Sequence, residues 1–145
     1  MEISELTIND WVSFKVDNKE YVSKVAMLNS NGNIALHYKD ENNLIKYFVT
    51  NINKIYPIEL TSKILELNDW KNYQDENRFY YIKLGKVIDA VNILIGMNTS
   101  SEVAVFYWVY PKDKKPVCFI ESVHHLQHII RLYDIEEADN IKMGD

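Results

Sequence analysis

A chain of 145 residues with 47% hydrophobic and 12% aromatic side chains suits one ordinary domain or two very small ones, and its capacity for a core excludes a disordered protein. Four glycines and three prolines exclude collagen-like and low-complexity character, and a single cysteine, Cys118, excludes an internal disulfide. The net charge of -5 is uneven: residues 1–58 carry -1, residues 59–133 none and residues 134–145 -4, which leaves no basic stripe for phosphate backbones and disfavours non-specific nucleic-acid binding.

In chain order, Trp11–Val16 alternates and places Val12, Phe14 and Val16 on one strand face. Asp17–Glu20 turns the chain into Tyr21–Leu28. Asn29-Ser-Asn-Gly-Asn33 is a strong turn signal because Asn and Gly tolerate positive φ. Ile34, Leu36 and Tyr38 alternate next, Asp40–Asn43 turns again, and Leu44–Val49 and Ile52–Ile58 supply two further strands. Short strands at this spacing are expected to close as an SH3-like small β-barrel over residues 1–58, since closure removes exposed edges. Pro57, which cannot donate to a ladder, marks the end of that unit.

Residues 59–133 read as an α+β unit, an antiparallel sheet covered by a short helix and a C-terminal helix. Thr61 is placed to cap the short helix, which runs through Leu67. Residues 71–78 read as a polar loop. Strands are expected at Phe79–Leu84, Lys86–Ile95, Val103–Tyr110 and Val117–Ile120, with turns at Asn98–Ser101 and Pro111–Pro116. Val87–Ile95 also fits a helix, but its β-branched residues and the flanking Gly85 and Gly96 favour strand. Cys118 is expected to be a small buried hydrophobe.

The last apolar stretch, Ser122–Tyr133, reads as helix. Val123, Leu126, Ile130 and Tyr133 recur at steps of three and four, Ile129 and Leu132 widen the stripe, and Ser122 is placed to cap. His124, Gln127, His128 and Arg131 fall on the opposite side. Residues 134–145 form an acidic tail with too little apolar surface to pack well.

Leu6-Thr-Ile-Asn-Asp-Trp-Val12, Ile55-Tyr-Pro-Ile-Glu-Leu-Thr61 and Val123-His-His-Leu-Gln127, in this order, resemble motifs of small uncharacterised proteins encoded by phages and mobile elements of Bacteroides-type gut bacteria. Asn9 stands where that pattern has glycine, and Asn68-Asp69-Trp70 replaces a glycine-phenylalanine ending after the first helix. Residues 71–117 match no part of the pattern. The resemblance implies an accessory role in a mobile element and no assigned reaction.

His124 and His128, four apart on a helix, share a face as in a two-histidine zinc site. The metalloprotease pattern needs Glu after the first histidine, however, and His125 stands there. The alternative is that His124 and Gln127, the candidate site residues, dock the helix by hydrogen bonds to backbone groups. Glu121, Ser122 and His124 do not make a hydrolase, since helix neighbours point apart and no nucleophile elbow exists. Trp11, Tyr21, Tyr38, Tyr47, Tyr107, Trp108 and Tyr110 are either core rings or a surface for peptides or bases.

The sequence thus points to a non-enzymatic protein-binding or adaptor protein without cofactor or bound metal. A metal-dependent enzyme using the His124/His128 helix is the alternative. With no leader-like or membrane-spanning segment, the cytoplasm is the expected compartment. A protein partner is expected, no membrane is, and homo-oligomerisation is left open.

Overall fold

The computed structural model describes residues 2–75, 78–88, 91–100, 103–110 and 115–144. The fold is α+β, with two antiparallel sheets and short helices. The chain divides into two compact units. One comprises Met1–Ile58 and Ser122–Gln127, the other Glu59–Glu121 and His128–Asp145, so the division falls within a helix, α2 (Val123–Arg131).

The first unit holds β1 (Trp11–Val16), β2 (Lys19–Leu28), β3 (Asn33–Lys39) and β4 (Ile45–Asn51) in the order β1-β2-β3-β4. Its turns follow from side chains that tolerate or stabilise tight backbone. Asp17 and Asn18 take φ of 52° and 65° between β1 and β2. Asn29 Oδ1 accepts from the amides of Asn31 and Asn33, and Asp40 Oδ1 from those of Asn42 and Leu44. The inward faces then meet: Leu6, Val12, Phe14, Val25, Ile34, Leu36 and Ile55 form the core. Phe14 is its centre, with ring centroids 5.9 Å from Tyr21, 6.0 Å from Tyr38 and 5.4 Å from Phe48. Val16 and Tyr38, at the ends of their alternating runs, are only half-buried. A 3-10 turn, Ile52–Lys54, follows β4. Tyr56 then pairs antiparallel with Ser13 on the β1 edge away from β2, through two bonds of 2.9 Å.

The second unit holds α1 (Ser62–Leu67), capped by Thr61 Oγ1 accepting from the Ile64 amide, and a sheet in the order β5-β6-β7-β8-β9. These strands are β5 (Lys71–Asp75), β6 (Arg78–Ile88), β7 (Val91–Ser100), β8 (Val103–Tyr110) and β9 (Lys115–Ile120).

Several sequence expectations change here. Residues 71–75 are strand rather than loop, because Lys71–Asp75 pair with Arg78–Ile82 and so satisfy their backbone in a ladder. Lys86–Ile95 is not one strand: Ile88 pairs with Val91, so its two halves belong to β6 and β7. Residues 89 and 90 lie outside the described residues. Gly96 does not end a strand but sits within β7 opposite Tyr107, whose ring occupies the space a Cβ would need. The turn expected at Asn98–Ser101 is displaced, since Asn98–Ser100 pair with Val103–Val105; residues 101 and 102 lie outside the described residues, as do 111–114 of the second expected turn. Pro116 is in edge strand β9, at an irregularity in its pairing with β8, where a missing amide is tolerated.

On one face of this sheet Tyr81, Ile95, Phe106, Trp108 and Ile120 are buried, with Tyr81 6.1 Å from Phe106 and Trp108 5.6 Å from Tyr133. Cys118 is exposed, not buried: edge strand β9 also leaves Val117 and Phe119 open.

Helix α2 stops at Arg131, earlier than its apolar periodicity suggests, and Leu132 is 80% exposed rather than part of the stripe. The acidic segment packs, contrary to the expectation for residues 134–145. Asp134 caps α3 (Ile135–Asp139) by accepting from the Glu137 amide, and Ala138 and Ile141 are buried. The Asn68 side chain brackets Lys142, donating to its carbonyl at 2.8 Å and accepting from its amide at 2.7 Å. Two buried apolar side chains and one amide clamp thus tie down a segment that lacks a long apolar run. Arg131 adds an ion pair with Asp139 at 3.3 Å.

Candidate functional site

The segment before β1 shapes the polar site of the first unit. A 3-10 turn, Ile3–Glu5, is followed by Leu6, which anchors it in the core. Thr7 and Asp10 then close a turn: Asp10 Oδ2 accepts from the Thr7 amide at 2.8 Å, and the Asp10 amide donates to the Thr7 carbonyl at 3.0 Å. Val25 clamps this turn, accepting from the Asn9 amide and donating to the Asp10 carbonyl. Asn9 itself has φ of 76°, the left-handed region where asparagine and glycine are at least disadvantage.

Gln127, fully buried, meets this fixed backbone. Its Oε1 accepts from the Trp11 amide at 2.8 Å and its Nε2 donates to the Asn9 carbonyl at 2.9 Å. A primary amide is suited to this because it offers one acceptor and two donors from one planar head. Ser122 precedes α2 with its Oγ accepting from the His125 amide at 3.3 Å, and the same oxygen lies 3.0 Å from His124 Nδ1, so these two side chains meet rather than point apart as expected from sequence. His124 is 1% exposed and Gln127 0%, so neither lies on the side opposite the apolar stripe where the sequence reading sets them; Gln127, four residues after Val123 and three before Ile130, borders that stripe. His128 and Arg131 are half-buried.

One group of three potential metal ligands occurs among the described residues. Glu5, His124 and His125 each offer a ligand atom, all within 4.8 Å of one another. His128 is not in it. The adjacent imidazoles of His124 and His125 have centroids 4.5 Å apart. Burial grades outward, from buried His124 through half-buried His125 to exposed Glu5. Sequence reasoning missed Glu5, which nothing in its neighbourhood marks as a ligand, and passed over His125, weighed only as the residue standing where a metalloprotease has glutamate.

A second surface lies on the outer face of β4. Ile45, Tyr47 and Val49 alternate there and are 65%, 72% and 66% exposed. His37 of β3 stands beside Tyr47, ring centroids 4.4 Å apart. Of the aromatics singled out from sequence, Tyr21 and Tyr38 pack on Phe14, Tyr107 and Trp108 are buried, and Tyr47 is the exposed one; the Tyr110 side chain lies outside the described residues. In the second unit an open groove of about 220 Å³ is lined by Glu59, Leu60, Val105, Phe119 and Glu121 among others. Among the described residues no helix is long and apolar enough to cross a membrane.

Comparison with known proteins finds no matching family model, no matching curated protein and no matching solved structure.

Proposed function

We propose that the chain is a non-enzymatic protein-binding or adaptor protein of a phage or mobile element, acting in the cytoplasm, with an SH3-like barrel as its N-terminal unit. The observation that carries this reading is the exposed row Ile45, Tyr47 and Val49 on β4. Contiguous apolar surface of this kind is unfavourable in water unless something covers it, and an aromatic centre suits a protein partner. The barrel reading is supported by the meander β1-β2-β3-β4, the 3-10 turn after β4 and the return of Tyr56 to β1. The left-handed backbone at Asn9 supports the family resemblance, since glycine is the residue at home there. A metal-dependent enzyme on His124 and His128 is the weaker reading, because the ligand group pairs His124 with Glu5 and His125 instead.

The test is affinity capture from a Bacteroides-type host with the tagged full chain, its Tyr47→Lys/Val49→Lys variant and an Ile135→Lys control at another exposed apolar position. Proteins held by wild type and control but lost from the β4 variant support the reading. Identical recovery with all three overturns it.

A further inference from the structure

We propose that Glu5, His124 and His125 form a binding site for one zinc-class divalent cation, a carboxylate and two imidazoles leaving a fourth position to water. The donor set is the borderline one that zinc prefers, rather than the all-oxygen set of calcium or magnesium. Three ligand atoms lie within 4.8 Å of one another. Around a tetrahedral ion with bonds of about 2.0–2.2 Å, ligand atoms stand roughly 3.3–3.6 Å apart. Closing that difference needs a movement of about 1 Å, which exposed Glu5 and half-buried His125 can make without disturbing the core.

Two features separate this group from an ordinary surface cluster. First, His124 is held in place: it is 1% exposed and its Nδ1 lies 3.0 Å from Ser122 Oγ. A ligating histidine is characteristically oriented by a partner on its other ring nitrogen; with Ser122 Oγ beside Nδ1, Nε2 is the nitrogen assigned to the ion. Second, each ligand comes from a backbone fixed by its neighbours. Glu5 sits in a 3-10 turn closed by the Glu5 and Leu6 amides donating to the Glu2 and Ile3 carbonyls, and the His125 amide donates a hydrogen bond to Ser122 Oγ. The positive end of helix α2 opposes a cation there, but the field of a helix terminus is weak beside direct coordination by three protein ligands. Bound metal would join the N-terminal turn to the first turn of α2, two parts of the first unit far apart in sequence. No reaction is required of it.

The purified full chain is stripped with chelator and titrated with zinc by calorimetry, with cobalt(II) absorption as a spectroscopic readout of coordination. Wild type should bind one ion with tetrahedral cobalt bands and gain thermal stability on loading. Because buried His124 is needed for packing, Glu5→Gln and His125→Ala carry the test. Each should weaken zinc by more than about tenfold, since even outer-shell changes commonly do as much. His128→Ala should bind as wild type. Failure of folded wild type to bind stoichiometrically overturns the site. So does unchanged affinity in both Glu5→Gln and His125→Ala, or loss of zinc only in His128→Ala.

Discussion

Gln127 Nε2 donates to the carbonyl of Asn9, 118 positions earlier in the chain, at 2.9 Å. With Oε1 accepting from the Trp11 amide, one side chain thereby satisfies two backbone groups in the first unit. Gln127→Ala leaves both without that partner, a loss that typically costs about 1–3 kcal/mol. Gln127→Glu keeps the Trp11 bond but sets an acceptor against the Asn9 carbonyl, so it should also destabilise. Leu126→Ala, removing a side chain only 1% exposed, should cost more, about 2–5 kcal/mol. His124→Ala should fall between neutrality and the Leu126 effect. Urea midpoints of the four variants test the order; a silent Gln127→Ala would remove the docking role.

How far this arrangement was legible in sequence differs by residue. The helix, its Ser122 cap and the turns at Asp17, Asn29 and Asp40 rest on local chemistry, and local chemistry is written in neighbouring residues. Gln127 follows Val123 by four residues and precedes Ile130 by three, so its place beside the buried stripe was legible in the helix period, but only the fixed backbone at Asn9 and Trp11 makes burial of its amide acceptable. Glu5 had no signal, because its meeting with His124 and His125 depends on how Leu6 seats the N-terminal turn. That Leu44–Val49 is a strand was readable, but which of its faces meets water was not. The division of Lys86–Ile95 between β6 and β7 was missed because β-branched residues on both sides read as one run.

The C-terminal segment should matter to the second unit despite its charge. Ile141 is 3% exposed and Ala138 fully buried, and the Asn68 clamp holds the backbone of Lys142. Ile141→Ala should cost about 2–5 kcal/mol and Asn68→Ala about 1–3 kcal/mol. Deletion of residues 138–145 should lower the melting temperature by at least as much as Ile141→Ala does. An unchanged melting temperature on deletion would mean that these contacts are not maintained in solution.

Gly96 is expected to resist substitution because of its cross-strand neighbour. An alanine Cβ there would occupy the space of the Tyr107 ring, which must move or leave its place on the sheet. Overpacking of this kind costs about 1–3 kcal/mol. The mechanism is separable from a general loss of strand stability by a double-mutant cycle. Gly96→Ala should be less harmful in a Tyr107→Ala background, because the obstructing ring is gone. Additive effects would show that the glycine is needed for some other reason.

Asp40 gives the chain a defined acid dependence. The Leu44 amide donating to its carboxylate, with the Asn42 amide and the Lys46 ammonium at 3.1 Å, holds its pKa below the ordinary 3.8, against a smaller opposing effect of desolvation. A carboxylate with a depressed folded pKa stabilises the fold above its unfolded value, and that contribution is lost as pH falls through the folded value. The loss therefore begins near 3.8 and is complete only below the lowered value. Lys46, raised above 10.5 chiefly by its bond to Asp40, contributes fully below 10.5 and loses its part only as pH rises through its folded pKa. Asp40→Asn keeps an oxygen for the turn amides but removes the charge. The melting-temperature gap between wild type and Asp40→Asn should thus be constant near neutrality and narrow as pH drops below 3.8. Lys46→Ala should weaken this dependence without abolishing it, because the Leu44 amide is the larger cause. A gap that stays constant through that acid window would show that the β3–β4 turn does not depend on the charge of Asp40.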